Sequence, residues 1–248
     1  MLEHTFVHIQ GIGPKTEQKI WRSGIRTWHD FLRRKGTILS AGRDGFVSDE
    51  LELSVNKRRD IKYFTDRLSS GEMWRLFDEC ESSLVYLDIE TSGGGQGIDE
   101  ITVIGIYDGR KVRTFVNGKN LDEFEIAICD YDMVVTFNGT CFDLPVIRRW
   151  FRNISLPPAH IDLRFLLKRL GYTGGLKKIE KSIGIVRNSE IDGMDGYEAV
   201  LLWKAYEWGD EKALETLIKY NTADILNLKP LMAIGYGEMK KKLLPWYK

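Results

Sequence analysis

The stretch LVYLDIETSGGG, residues 84–95, decides how the rest of the chain is interpreted. It has the apolar character of a buried strand, yet it contains two carboxylates, Asp88 and Glu90, just before a glycine-rich turn. In a strand, residues i and i+2 point to the same face, so the two carboxylates lie side by side while Leu87 and Ile89 face the other way. Adjacent carboxylates in partly apolar surroundings repel each other and are poorly solvated unless a cation or a proton compensates. The spacing therefore indicates a site for a hard cation such as Mg²⁺ or Mn²⁺, or else a strand that ends at Leu87 and leaves both acids in solvent.

The spacing of apolar residues divides the chain into two regions. Residues 1–82 show helix-spaced apolar positions interrupted by GIGP, which predicts an all-α region that starts with two short helices joined by a tight glycine turn. From residue 84, three short β-rich runs separated by turn residues predict a meander. A helix, a strand, a helix from Leu144, a short strand HIDL and a mostly helical remainder follow. This order predicts an α/β fold, a mixed sheet flanked by helices, behind an all-α region.

The composition is that of an ordinary globular chain. Of 248 residues 43% are apolar, and 36 basic residues balance 36 acidic ones, so the net charge gives no argument for a nucleic-acid partner. Three widely spaced cysteines suit neither a disulfide framework nor a zinc site. No apolar run approaches the roughly 18 residues of a membrane span, and the start, MLEHTFVHIQ, lacks the layout of a signal peptide. We therefore expect a cytoplasmic protein with no membrane partner.

Two further stretches place carboxylates where chemistry could use them. In VVTFNGTCFDLPVI a strand runs into a turn at Asn138, and Asp143 opens the next helix. The alternative for Asp143 is a helix N-cap with no further role. In LIKYNTADILNL, Tyr220 and Asp224 are four residues apart and share one helix face. They are interpreted as an active-site pair or as a plain buried hydrogen-bonded pair.

Taken in order, the stretches DIET, FNGTCFDLP and YNTAD resemble the three exonuclease motifs of the DEDD superfamily. The third motif here is a tyrosine, three residues and an aspartate, which is the DEDDy form. The proofreading domains of B-family DNA polymerases are similar, and the chain also resembles small stand-alone ribonuclease-H-like proteins. The resemblance covers residues 84 to about 232 and implies a ribonuclease-H-like fold.

The same resemblance implies catalytic residues and a reaction. The metal ligands would be Asp88, Glu90, Asp143 and Asp224, and Tyr220 would orient the attacking water. Two ions, Mg²⁺ or Mn²⁺, would act on the phosphodiester. The first ion, held by Asp88, Glu90 and Asp224, would supply hydroxide. The second ion, held by Asp88 and through water by Asp143, would stabilise the leaving oxygen. The implied activity is a 3′–5′ exonuclease that releases nucleoside monophosphates, with DNA favoured over RNA. The alternatives are a nucleic-acid-binding adaptor with weak or no nuclease activity, and a structure-specific endonuclease.

Other residues near these motifs have less defined roles. Asp162, at the end of the HIDL strand, is interpreted as an outer-shell orienter of the site or as the cap of the following helix. Asn138 is expected to contact the nucleic acid. The glycines and lysines of GYTGGLKKIEKSIG, residues 171–184, could bind phosphates or could form a loop and a solvated basic helix face.

The start of the chain, HIQGIGPKTEQKIWRSGI, resembles a helix-hairpin-helix motif, in which a Gly-x-Gly turn exposes amides to a phosphate. The residues expected to bind nucleic acid there are Gly11, Gly13, Lys15 and Lys19. Residues 1–35 contain seven basic and three acidic residues, which favours contact with a phosphate backbone. The alternative is a helical hairpin that contacts proteins. The predicted domain bounds are given together: helix-hairpin-helix 1–36, helical connector 37–82, exonuclease domain 83–235 and C-terminal tail 236–248.

Overall fold

The structure is a computed structural model that describes residues 1–94 and 100–246, so Gly95 of the opening stretch lies outside the described residues. The chain divides into two compact units, Met1–Ser82 and Ser83–Lys248. None of the helices in the described residues combines the length and the apolar character that a bilayer crossing requires.

The first unit is helical, as predicted. Its α-helices are α1 (Pro14–Arg22), α2 (Trp28–Arg33), α3 (Ala41–Asn56) and α4 (Ile61–Thr65), with 3₁₀ helices at Leu2–His4 and Ser70–Cys80. Helix α1 starts with a proline at its first position, and α2 starts with a capping box in which Thr27 and Asp30 satisfy each other's backbone amides.

The position of GIGP differs from the prediction. The two short helices are α1 and α2, so GIGP leads into α1 rather than lying between them. The residues before it form turns instead of an α-helix, because the Glu17 carboxylate accepts the backbone N–H groups of Phe6 and Val7 at 2.7 and 3.3 Å. The same buried carboxylate makes two 2.9 Å hydrogen bonds with Arg75 of the second 3₁₀ helix. A long-range ion pair thus replaces the local helical bonding that the sequence pattern suggested.

The second unit is a mixed sheet flanked by helices. Its strands are β1 (Leu84–Thr91), β2 (Ile101–Tyr107), β3 (Val112–Val116), β4 (Met133–Thr136) and β5 (Ala159–Asp162). Its helices are α5 (Glu123–Ile128), α6 (Asp143–Trp150), α7 (Leu163–Lys168), α8 (Leu176–Ser182), α9 (Gly196–Glu207) and α10 (Glu211–Leu243). Among the described residues the strand order is β3-β2-β1-β4-β5, with β1, β2 and β3 antiparallel and β4 and β5 parallel to β1. The predicted meander and the predicted fold class are confirmed.

Strand β1 lies at the centre of the sheet and has two different faces. Leu87 and Ile89 belong to an apolar core on one face, together with residues of α5 and α6. Asp88 and Glu90 therefore point to the opposite face, where α10 packs against β1 and β2. The side-chain alternation predicted from the sequence thus places both carboxylates under the longest helix of the unit.

Candidate active site

Three carboxylates from two elements meet on this face of the sheet. Asp88 and Glu90 of β1 and Asp224 of α10 each offer one oxygen, and these oxygens all lie within 4.8 Å of one another. Strand β1 continues to Thr91, and Glu90 is only 8% exposed. The alternative in which the strand ends at Leu87 and leaves both acids in solvent is therefore wrong.

Asp143 lies next to this group but does not belong to it. It is the first residue of α6, and Phe142 takes the N-cap position, so the N-cap alternative is wrong. Its Oδ1 instead accepts the backbone N–H of Ile89, the residue between the two β1 carboxylates, at 3.2 Å. Asp143 is 3% exposed, and this burial raises its pKa to about 7, against the opposing effect of hydrogen bonds from two backbone amides. Asp143 thus lies beside β1 and next to the three carboxylates, and its role in metal binding stays a prediction.

The carboxylates strongly perturb one another. Burial raises the pKa values of Asp88 and Glu90 well above their ordinary range, and the charge of Asp224 raises both further. The pKa of Asp224 is raised to about 6 by burial, although the Arg187 guanidinium beside it acts in the opposite direction. Among the described residues, Oε1 of Glu90 is buried without a hydrogen-bond partner. Buried oxygens of this kind fit a divalent cation, because such a cation would supply both the missing partner and the missing charge.

Asn221 is a site residue that the sequence interpretation missed. Its Nδ2 donates to Oδ2 of Asp88 at 3.0 Å and to the backbone carbonyl of Asp88 at 3.3 Å, and its side chain is fully buried. Gly105, the partner of Asp88 on β2, leaves the space for it, since a Cβ there would lie 1.9 Å from the Asn221 Oδ1. A glycine inside an apolar strand often marks such a close approach, and TVIGIY contained that signal.

Tyr220 and Asp224 share one side of α10, as predicted, but the pair is not a direct hydrogen-bonded one. The Tyr220 hydroxyl accepts a hydrogen bond from Nζ of Lys177 on α8 at 2.9 Å. Burial and the nearby charges of Asp224 and Glu90 raise the pKa of Tyr220, while desolvation lowers the pKa of Lys177. Tyr220 therefore keeps its proton at neutral pH, and this proton is free to point away from the lysine.

Asp162 caps a helix and also holds a loop. Its carboxylate accepts the backbone N–H of Arg164 in the first turn of α7 at 3.1 Å, as the capping alternative predicted. It also accepts the backbone N–H groups of Asn138 at 2.8 Å and Thr140 at 3.0 Å. Asn138 has a φ of 68°, in the left-handed region that asparagine tolerates better than most residues. Asp162 thus orients the loop that leads to Asp143 rather than joining the three-carboxylate group.

A cavity of about 960 Å³ lies beside Tyr220. Its lining combines aromatic rings with basic groups, and includes Phe137, Asn138, Arg164, Phe165, Lys168 and Tyr172. Arg164 Nη1 donates to Oδ1 of Asn138 at 2.6 Å, which connects α7 to the loop before Asp143. The predicted nucleic-acid contact Asn138 therefore lines the cavity that adjoins the candidate site.

The remaining predicted contacts lie in the first unit. Gly13 is the N-cap of α1, and Lys15 and Lys19 are exposed on that helix. Gly11 has a φ of 76°, and its carbonyl accepts a hydrogen bond from Arg43 Nη2 at 2.5 Å. A basic side chain from α3 thus lies on the glycine turn, a contact that no sequence pattern indicated.

A mixed sheet with acidic residues on its central strand and on a packed helix defines a ribonuclease-H-like fold with a candidate metal site. A family model described as the RNase_H superfamily matches residues 85–236, more than half of the chain. The chain belongs to that superfamily, which confirms the ribonuclease-H-like class that the motifs implied. No match to a curated protein sequence was found.

Several solved structures are similar to the chain at low sequence identity. The family B DNA polymerase of the archaeon Pyrobaculum calidifontis is 18% identical with a TM-score of 0.48, over 65% of this chain and 24% of the polymerase. RNase D of Escherichia coli, an exoribonuclease involved in structured RNA processing, is 17% identical with a TM-score of 0.47, over 68% of this chain and 44% of RNase D. NrnC of Brucella melitensis bound to pGG is 22% identical with a TM-score of 0.47, over 67% of this chain and 78% of NrnC. The chain thus spans less than half the length of the first two proteins.

Proposed function

We propose that this protein is a metal-dependent 3′–5′ exonuclease that hydrolyses phosphodiester bonds of nucleic acid. The observation behind the proposal is the buried group of Asp88, Glu90 and Asp224, with Asp143 beside it. Such a concentration of carboxylates in a low-dielectric setting is stabilised by a bound cation, which lets the carboxylates keep their charge instead of taking up protons. Membership of the RNase_H superfamily supports a nuclease.

The carboxylates would hold the metal, and Mg²⁺ or Mn²⁺ suits their oxygen ligands. When bound at such a site, divalent ions lower the pKa of a water molecule and stabilise a leaving oxygen. Asp88, Glu90 and Asp224 would hold one ion directly, and Asp143 would assist a second one shared with Asp88. Asn221 keeps Asp88 in place, because it donates to Oδ2 of that carboxylate.

Tyr220 would orient the attacking water. Its hydroxyl oxygen accepts from Lys177, so the hydroxyl proton is available for donation to a second group. With its raised pKa, Tyr220 stays protonated and acts as a hydrogen-bond donor rather than a base.

The cavity beside Tyr220 would hold the end of the strand. Bases stack on aromatic rings and phosphates pair with basic groups in proteins that bind single-stranded nucleic acid. Phe137, Phe165 and Tyr172 supply rings, and Arg164 and Lys168 supply positive charge. These groups suit DNA and RNA alike, and DNA as the favoured substrate stays a prediction.

We also propose that the first unit binds a nucleic-acid backbone. Gly11 and Gly13 would present amides to a phosphate, with Lys15 and Lys19 adding positive charge at α1. Replacing Gly13 by a bulky residue is then expected to weaken binding and reduce its salt dependence. Unchanged affinity and salt dependence would remove this role.

A cleavage assay tests the proposed activity. End-labelled single-stranded DNA, duplex DNA and RNA are incubated with the protein in Mg²⁺, Mn²⁺ or EDTA. The variant Asp88→Asn is compared with Asp130→Asn, which changes an exposed aspartate of the same unit. The proposal expects one-nucleotide shortening from the 3′ end that disappears in EDTA and in Asp88→Asn but persists in Asp130→Asn.

Other results of this assay contradict the proposal. Internal fragments would indicate an endonuclease. Binding without metal-dependent cleavage of any substrate would indicate an adaptor. Equal cleavage by Asp88→Asn and the wild type would show that the carboxylate group is not the active site.

A further inference from the structure

Arg187 brings a positive charge to the carboxylate group from outside the three motifs. It lies between α8 and α9, and its side chain is 3% exposed. Its Nη1 forms an ion pair with Oδ1 of Asp224 at 2.5 Å. Asp224 is also one of the three carboxylates whose oxygens lie within 4.8 Å of one another, so Arg187 contacts a member of the candidate metal site.

A second carboxylate holds Arg187 in this position. Glu180 on α8 accepts Nε of Arg187 at 2.6 Å and Nη2 at 2.7 Å, which is a two-pronged fork. Oε1 of Glu180 also accepts Nδ2 of Asn227 at 3.0 Å, and Asn227 follows Asp224 by three residues on α10. The guanidinium is thus fixed to α8 and, through Asn227, to the same helix that contains Asp224.

Charge compensation alone does not explain this arrangement. The buried negative charge of Glu180 offsets the positive charge of Arg187, so the pair adds little net charge to the carboxylate group. What the pair does provide is a fixed position, because a guanidinium has a rigid planar set of donors that a lysine ammonium lacks. One edge of the guanidinium binds Glu180. The remaining nitrogen, Nη1, is thereby held in an ion pair with Oδ1 of Asp224, a contact made without hydrogen-bond geometry.

We infer that Arg187, anchored by Glu180, is a positioning residue that orients Asp224 for metal binding. The inference rests on the proposed function, since it assumes that Asp224 is a metal ligand. Outer-shell partners of metal ligands typically contribute about 10–100-fold to metal affinity or activity. A competing reading is that Arg187 occupies a ligand oxygen and opposes the metal, and that reading predicts a change of the opposite sign.

Metal binding without substrate distinguishes the two readings. The full chain, freed of metal, is titrated with Mn²⁺, and free Mn²⁺ is followed by electron paramagnetic resonance. The double variant Glu180→Gln/Arg187→Gln removes both charges of the anchored pair, so Glu180 is not left as an unpaired buried charge. Arg187→Lys keeps the charge without the fork and serves as the test if the double variant fails to fold. Lys219→Gln is the matched control, because Lys219 lies on α10 in an exposed ion pair with Glu190.

The inference expects Mn²⁺ affinity about 10–100-fold weaker in the double variant, weaker affinity in Arg187→Lys, and no change in Lys219→Gln. The metal concentration for half-maximal cleavage should rise by the same factor, with the rate at saturating metal close to that of the wild type. Unchanged or tighter Mn²⁺ binding in both Arg187 variants would overturn the inference while leaving the proposed function intact. A wild type that binds no Mn²⁺ would overturn both.

Discussion

Gly105 of β2 provides the sharpest test of how the candidate site is built. A Cβ at this position would lie 1.9 Å from Oδ1 of Asn221, 3.0 Å from its Cγ and 3.2 Å from Cδ1 of Ile225. The φ of Gly105 is not positive, so alanine is compatible with the backbone and the effect of Gly105→Ala is steric. The substitution therefore probes mainly the approach of Asn221 to Asp88, with a second and looser contact at Ile225.

The expected magnitude follows from these distances. A non-bonded carbon needs roughly 3.5 Å, so the Asn221 side chain would have to move by about 1.6 Å and would lose its hydrogen bond to Asp88. Overpacking costs about 1–3 kcal/mol, and a lost hydrogen bond to a charged group about 1.5–3 kcal/mol. We expect Gly105→Ala to lower the free energy of unfolding by about 2.5–6 kcal/mol.

Urea unfolding of a double-mutant cycle measures this cost. Gly105→Ala is made in the wild type and in Asn221→Ala, which removes the clashing side chain. In the second background the cost should fall below about 1 kcal/mol, because only the Ile225 contact remains. Gly237→Ala on α10 is the control, since a Cβ there meets nothing within 4 Å. A stability within about 0.5 kcal/mol of the wild type, or an equal cost in both backgrounds, would refute this account of Asn221.

Three further predictions concern pH, the tyrosine and the loop. The thermal midpoint of the metal-free protein should fall as pH rises through 6 and 7, because Asp224 and Asp143 have folded-state pKa values of about 6 and 7, above the ordinary 3.8. Saturating Mn²⁺ should abolish this fall, and a midpoint that rises with pH would contradict the prediction. Tyr220→Phe should retain Mn²⁺ affinity and lose about 10–100-fold in cleavage rate, the usual effect of removing an outer-shell hydrogen-bond partner, and an unchanged rate would show that the hydroxyl has no role. Asp162→Asn should lower the free energy of unfolding in urea by at least about 1.5 kcal/mol and should leave the Mn²⁺ affinity unchanged. A loss of Mn²⁺ affinity as large as the loss measured for Asp88→Asn would instead make Asp162 a metal ligand.

Local patterns in the sequence were sufficient for most of the fold. Period-two alternation placed Asp88 and Glu90 on one face of β1, and the observed register and core agree with it. Turn residues between β-rich runs predicted the meander. The prediction was wrong at GIGP, where Glu17 binds backbone amides about ten residues earlier in the chain. Side-chain-to-backbone bonds of this kind leave no periodic signal, so the pattern continued to suggest a helix.

The sequence by itself determined which residue types are available and in what order: two carboxylates on a strand, one at the start of a helix, and a tyrosine with an aspartate on another helix. Only the tertiary structure decided that Asp88, Glu90 and Asp224 come within 4.8 Å of one another while Asp143 binds the amide of Ile89. It also decided the partners of these groups, since Asn221 reaches Asp88 across 133 positions of the chain. The strength of such contacts depends on distance in space and on burial, and neither quantity has a local signature in the order of residues.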